Sequence, residues 1–260
     1  MPRISDPVGV SSLLRRDRAA TAAAVATVVA AAAGWVLVVS WINRMDTGMG
    51  LGSFPDFIEI WAVMMAAMML PSAVPMVART ASLNWSRGAR LIATTGLIGI
   101  YLLAWTAFGV AAYFMYEVIA NIGQANSSWH RRGFLLAGIA IAIAGLYGLT
   151  PLKRSCQGRC RALARNGWGR EGGLLRRIVR TGADYSVNCV GASLGPMVVI
   201  LAVGLTSITL MVIVSAIVLV QKVVPLSNWG NSAIALALFS YGVSLAIAAG
   251  SGAMLTVVPR

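Results

Sequence analysis

The sequence predicts an all-α protein, a polytopic bundle of transmembrane helices, and three observations lead to this prediction. Hydrophobic residues make up 58% of the 260 residues, charged residues only 11%, and the mean hydropathy is +0.78. A soluble domain carries about 25% charged residues, so a chain this poor in charge is expected to have lipid as its main solvent. Apolar runs of bilayer-spanning length, about 20 residues, recur along the chain with polar or basic segments between them.

Seven apolar segments are predicted to cross the membrane, within one domain over 19–260 that follows a basic N-terminal tail over 1–18. The first segment is longer than the apolar core of a cleaved signal peptide, so we expect it to be retained. Proline cannot continue a helix, and Pro151 is expected to end the fourth segment. The stretch 184–222 is too long for one crossing and holds Gly204 near its middle, which favours a helical hairpin, and seven spans over six. The predicted spans are 19–42, 57–78, 91–118, 133–150, 184–203, 206–222 and 232–257.

Basic residues predict the orientation, because they concentrate on the cytoplasmic side of membrane proteins. With the N-terminus in the cytoplasm, 17 of the 21 Lys and Arg lie on the inner side, and a basic loop at 151–182 holds the densest group. We therefore expect a cytoplasmic N-terminus, and we expect the basic loop to meet anionic lipid headgroups. The basic segments border membrane spans, which argues against nucleic acid as a partner.

All three cysteines lie in or beside this basic region. Cys156 and Cys160 are four residues apart, on one face of a helix, and Cys189 opens the predicted fifth span on the same side of the membrane. Three thiolates there would select soft Cu(I) or Zn(II) over hard cations, and the neighbouring arginines favour the thiolate form. The spacing differs from the CxxC pairs of typical zinc sites, and helix packing explains small cysteines equally well. Spacing alone therefore leaves metal binding and packing both open.

A methionine run in the predicted second span is the other candidate metal-binding feature. Its members fall at i and i+4 positions, so pairs of thioethers share a helix face. Thioethers bind Cu(I), but flexible methionines are more often packing residues. Pro71 and Pro75 follow the run and free backbone carbonyls that must be satisfied inside the protein. The run consists of Met64, Met65, Met68 and Met69.

No catalytic constellation is visible, so we expect that the protein is not an enzyme. Acids and bases occur only at the ends of the predicted spans and none lies in the interior of one, which argues against an ion-coupled transporter. Ser72, Ser193 and Ser215 have no His or Asp nearby in sequence, so no hydrolase triad is indicated. Phosphate-binding loops, dinucleotide fingerprints and HExxH motifs are absent from the sequence.

Four segments together resemble one known family: WAVMMAAMMLP (61–71), AGLYGLTPLKRSCQGRC (144–160), residues 185–192, and the Gln221-Lys222 pair. They are similar to a bacterial inner-membrane family of unknown function, described as predicted metal-binding integral membrane proteins. The resemblance covers most of the chain from about residue 45 onward. It implies a multi-pass protein of the bacterial inner (plasma) membrane with a metal site built from cysteines.

The resemblance also identifies departures from the family pattern. Typical members place a Cys pair where this chain has Ala192 and Ser193, and a Glu where it has Gln221. The remaining ligands would still form a Cu(I) site, and Cys189, Ser193 and Met197 fall on one helical face. The candidate ligands that remain are Cys156, Cys160, Cys189 and Met197.

Two hypotheses of function follow. The first is a membrane protein that binds or hands over a soft metal, Cu(I) above others, at the cytoplasmic ends of spans four and five, with the Met-rich second span as a neighbouring wall. The alternative is a metal-free scaffold or accessory subunit of a membrane complex. In that case the basic loop 151–182 would bind lipid headgroups or a partner subunit, and small residues of spans four to seven would pack against another chain.

Overall fold

A computed structural model describes residues 18–43, 53–83, 85–124, 129–166, 168, 172–203, 208–223 and 228–250. The described residues form eight α-helices and no strand, as the predicted all-α fold requires. Residues 1–17, 44–52, 204–207 and 251–260 lie outside the described residues; they include nearly all of the predicted N-terminal tail, the predicted turn of the helical hairpin and the end of the last predicted span. The helices are α1 (Arg18–Ile42), α2 (Phe54–Ala81), α3 (Arg87–Gln124), α4 (Trp129–Leu149), α5 (Pro151–Asn166), α6 (Leu174–Val203), α7 (Ile208–Val223) and α8 (Asn228–Gly250).

The number of helices able to cross a membrane is lower than predicted. By length and composition, five described helices qualify alone: α1, α2, α3, α6 and α8. A sixth is obtained if α4 and α5, which meet at 64° around Pro151, count as one broken span. Helix α7 is apolar but has only 16 residues, fewer than the roughly 20 that a bilayer requires. Seven spans are therefore not confirmed, because within the described residues the apolar stretches of α4 and α7 do not qualify by themselves.

Contacts between neighbouring helices show which pairs run parallel and which run antiparallel. Helices α1 and α2, α2 and α3, α4 and α6, and α4 and α8 run antiparallel, whereas α3 and α6 run parallel, as do α2 and α7. The neighbouring pairs are Gly34–Ala67, Ala20–Ala78, Trp61–Trp105, Ser72–Tyr101, Ala144–Gly195, Tyr147–Gly191, Gly138–Ala246, Gly148–Ala235, Gly96–Ile178, Ile100–Gly182, Met68–Ser215 and Ser72–Lys222. The apolar helices α1 to α4 and α6 to α8 thus alternate in direction, which is the order that successive crossings would produce.

Helix α2 is the centre of the bundle. Its apolar window is 67% buried, against 28% for α1 and 17% for α8. Ser53 caps its N-terminus, and proline near that end suits the first turn of a helix. The indole Nε1 of Trp61 donates to the Trp105 carbonyl at 2.9 Å and ties α2 to α3. The functional candidates on α2 therefore face the interior of the protein.

The outward surface of the bundle is apolar. Large aliphatic side chains such as Val29, Leu103 and Ile247 are more than half exposed. Contiguous exposed apolar surface of this kind is unusual in a soluble monomer. The surface and the helix lengths are compatible with insertion into a membrane.

The predicted basic loop 151–182 is corrected by the structure, since most of it is helical. Helix α5 occupies its first half, and α6 begins at Leu174, ten residues before the predicted fifth span. The cause is the i, i+3/i+4 spacing of one buried stripe on α5, which packs on the bundle while Arg154, Arg159 and Arg165 are exposed. The stripe consists of Lys153, Gln157, Cys160 and Ala164.

Candidate metal site

Two of the three cysteines meet in the core. Cys160 belongs to the buried stripe of α5. Cys189 lies in the second half of α6, the helix that faces α5. Their thiols are within hydrogen-bonding reach of one another. The exposed fraction is 4% for Cys160 and zero for Cys189. The 64° bend sets α5 at an angle to α4, and α5 packs on α6, which brings Cys160 to that helix.

A buried lysine stands next to this pair. Lys222, at the end of α7, is 8% exposed, and its Nζ donates to Cys189 Sγ at 2.5 Å and to Ser72 Oγ at 3.1 Å. The sequence places Lys222 at the end of the predicted sixth span (206–222), and the structure buries its side chain in the protein. The apolar helix α7 directs its terminal lysine inward, where Ser72 and a thiol replace the water that an interfacial lysine would reach.

Two buried tyrosines complete the surroundings of the thiols. The Tyr101 hydroxyl lies 3.1 Å from Cys189 Sγ, and it donates to the Met69 carbonyl at 3.3 Å. The Tyr185 hydroxyl donates to the Ser72 carbonyl at 3.3 Å and also reaches Cys160. The thiols thus lie among polar groups that are themselves anchored to α2.

These groups gather beside the proline-containing part of α2. Pro71 and Pro75 have no N–H to donate, so carbonyls one turn earlier lose their helical partners. Side chains of other helices donate to neighbouring carbonyls in the same segment, including Ser215 Oγ to the Met68 carbonyl at 3.2 Å. The accepting carbonyls, those of Met68, Met69 and Ser72, adjoin the ones that the prolines free, and they hold hydroxyl groups at the level of the thiol pair.

The predicted methionines lie in the same core cluster as the two thiols. Each is at most 2% exposed, and the cluster also contains Met76 and Met211. Their burial agrees with a role in packing. Their place in the same cluster as the thiols also agrees with a role in metal binding. The predicted candidates in this cluster are Met64, Met65, Met68, Met69 and Met197.

Cys156 occupies different surroundings. It is partly buried, and its Sγ lies 2.9 Å from the position that a Cβ on Gly191 would take, near the hydroxyl of Tyr147. Among the described residues, no three His, Cys, Asp or Glu side chains converge as a metal-binding group. The structure thus brings Cys160 and Cys189 together and leaves Cys156 one helical turn away.

The positions that depart from the resembling family are also buried. Ala192 and Ser193 lie in the core, and within the described part of the chain Ser193 Oγ has no hydrogen-bond partner. The Gln221 carbonyl accepts from Gln157 Nε2 at 2.6 Å and from Arg161 at 2.5 Å. These contacts attach α7 to α5 and hold Lys222 in place at the next residue.

Sequence reasoning missed four contributors to the site: Ser72, Tyr101, Tyr185 and Lys222. Tyrosines and serines in apolar helices carry no distinctive spacing. A lysine at a helix end is ordinarily an interfacial residue. The available signals were two of the segments that resemble the known family: residues 185–192, which begin with Tyr185, and the Gln221-Lys222 pair.

Fold and site together define an α-helical protein, compatible with a membrane, whose core joins two thiols to a wall of thioethers. A family model described as "PpoB2: Copper chaperone" matches residues 58–245, which is more than half of the chain. The chain therefore belongs to the PpoB2 copper chaperone family, and the metal-related part of the resemblance agrees with this. No curated protein and no solved structure matches the chain.

Proposed function

We propose that this protein is a membrane-embedded copper chaperone that holds one Cu(I) ion, its cargo, between the thiolates of Cys160 and Cys189. The observation that carries the proposal is the contact of two buried thiols from different helices. The match to a copper chaperone family supports copper as the metal.

The donor set fits Cu(I) better than the other candidate, Zn(II). Soft thiolate and thioether ligands select Cu(I), and both kinds are present in this core cluster. Structural zinc sites take four ligands from Cys, His and carboxylates. The described residues offer no group of even three such side chains. A pair of thiols with neutral thioethers nearby is therefore a site for Cu(I).

The methionines of α2 supply a path by which the ion would reach or leave the thiols. Met64 lies about 12 Å along the helix from Ser72, the level of the thiol pair, at 1.5 Å per residue, and a hydrocarbon core is about 30 Å thick. Thioethers are neutral and soft, so they would hold Cu(I) briefly between stronger thiolate sites. On this proposal the ion moves along α2 between the thiol pair and the N-terminal end of that helix.

Copper loading of the purified protein tests the proposal. The reduced protein in detergent is loaded anaerobically with Cu(I), desalted and analysed for metal. We expect about one copper per chain in the wild type, and affinity at least tenfold lower in the Cys160→Ser and Cys189→Ser variants. Cys156→Ser is the matched control, because it removes a thiol from the same helix outside the pair, and it should retain copper.

Other outcomes would contradict the proposal. A folded wild-type chain that stays free of copper after loading would exclude the site and favour the accessory-subunit function. Equal loss of copper in all three serine variants would show that the thiol pair has no special role.

A further inference from the structure

The copper site described above does not account for the charge of Lys222. This side chain is 92% buried, judged by its 8% exposure, and its ammonium contacts a thiol and a hydroxyl rather than a carboxylate. A buried charge is strongly unfavourable unless it is paired and hydrogen-bonded. The thiolate form of Cys189 would be the counter-ion, and Ser72 Oγ accepts a second hydrogen bond.

The charges of the site distinguish monovalent from divalent ions. The buried charges at the site are two thiolates and the Lys222 ammonium, which together carry a single negative charge. The Arg161 guanidinium also lies near Cys160, but it is partly exposed, so solvent screens its charge. A monovalent cation makes this buried cluster neutral, whereas a divalent cation leaves one positive charge in an apolar core. Since desolvated net charge is costly, the neutral cluster is the favoured one.

We propose that Lys222 restricts the Cys160–Cys189 site to monovalent soft cations, Cu(I) and Ag(I), and excludes divalent ions such as Zn(II) and Cd(II). The inference rests on the proposed copper site and adds its means of selection. It assigns to Lys222 a specificity-determining role, while the sulfur atoms remain the ligands.

The size of the effect follows from Coulomb's law. A divalent ion meets one more unit of repulsion from the ammonium than a monovalent ion does. At a separation of about 5 Å and an effective dielectric constant of about 20, this difference corresponds to a change in relative affinity on the order of a hundredfold. A neutral residue at this position should therefore remove a preference of about that size.

A purely structural role for Lys222 has a different consequence. Its bond to Ser72 joins α7 to α2, and loss of that bond would loosen the site for every ion alike. The ratio of monovalent to divalent affinity, rather than either affinity alone, is therefore the informative quantity.

The test compares Ag(I) with Cd(II), two soft ions that need no control of copper oxidation state. Dissociation constants are measured by competition with chelators on the reduced protein, for the wild type and for Lys222→Met and Lys222→Arg. We expect the Ag(I) preference over Cd(II) to fall on the order of a hundredfold in Lys222→Met, and to be retained in Lys222→Arg, which keeps the charge. Lys153→Met is the control, because it also removes a buried lysine. Lys153 lies on α5, and its Nζ is near Gly148 of α4 rather than the thiol pair.

The outcomes separate this inference from the proposed function. If the wild type binds neither Cu(I) nor Ag(I), the copper site itself is wrong. If it binds both but Lys222→Met leaves the Ag(I)/Cd(II) ratio unchanged, the selectivity role is overturned and the copper site stands. Should Lys222→Met fail to fold, the wild type still decides: Cd(II) binding as tight as Ag(I) binding would refute the role of Lys222.

Discussion

At the scale of single residues, the three thiols differ in accessibility, and their chemical reactivity should differ accordingly. Alkylation requires access to the sulfur atom, and Cys156 is only partly buried whereas Cys160 and Cys189 are buried. We expect N-ethylmaleimide to modify Cys156 first in the folded, detergent-solubilised protein, at least tenfold faster than the other two. Mass spectrometry after proteolysis measures the extent at each site.

The matched control for this prediction is the denatured protein, in which the three thiols should react at similar rates. Preloading with Ag(I) should slow Cys160 and Cys189 further and leave Cys156 unchanged. Reaction of Cys189 as fast as Cys156 in the folded protein would mean that the thiol pair is not enclosed.

The spacing of the cysteines determines which helix face they share, but it does not determine which thiols meet. Positions i and i+4 share a helix face, and this places both Cys156 and Cys160 toward α6. They are nevertheless about 6 Å apart along the axis at 1.5 Å per residue. Cys189 lies at the level of Cys160, whereas Gly191 receives Cys156. That alignment depends on how α5 and α6 pack, which the sequence pattern of α5 alone does not contain.

At the scale of elements, small residues allow α4 and α8 to pack almost backbone to backbone. A Cβ on Gly145 would stand 2.5 Å from Phe239 N, and one on Gly138 would stand 2.7 Å from Ala246 N. Close approach of this kind is typical of helices that associate in membranes. Small residues that were candidates for contact with another chain thus join two helices of the same chain.

A large side chain at this interface should destabilise the protein. We expect Gly145→Leu to lower the free energy of unfolding by about 1–3 kcal/mol, since the backbone of α8 must move away. Gly99→Leu is the matched control, because Gly99 lies within apolar α3 and no atom stands within 4 Å of its Cβ position; its effect should stay within about 0.5 kcal/mol. Thermal unfolding in detergent measures both. Equal destabilisation by the two variants would contradict the close packing of α4 and α8.

At the scale of the whole molecule, basic and aromatic side chains gather at one end of the bundle. Arg79 Nε donates to the Arg165 carbonyl at 3.1 Å and joins the end of α2 to the end of α5. The Arg177 guanidinium lies 5.4 Å from the ring of Trp85 and 5.8 Å from that of Trp168. Arginine and tryptophan together are typical of a membrane–water interface.

Sequence reasoning identified the helices of this bundle better than it identified the site. Long apolar runs determine that helices form, because the backbone in lipid must satisfy its own hydrogen bonds. Polar α5 was taken for part of a loop, since its stripe of Lys153, Gln157, Cys160 and Ala164 is not apolar. The sequence places Lys222 at the end of the predicted span 206–222 without indicating its direction, because only the packing of α7 on α2 turns its side chain inward. The place of α5 and the inward direction of Lys222 thus depend on contacts between helices that are far apart in the sequence.

The orientation in the membrane is the last prediction, and it follows from the end at which the basic residues gather. We expect α5 on the cytoplasmic side and Asn43, which follows α1, on the opposite side. In a variant without native cysteines, expressed in bacteria, Asn43→Cys should react with a membrane-impermeant maleimide in intact cells. Ser155→Cys, on the exposed face of α5, should react only after lysis. The reverse pattern would invert the orientation and place the thiol pair near the outer face. Labelling of both in intact cells would exclude a membrane barrier between these two ends of the bundle.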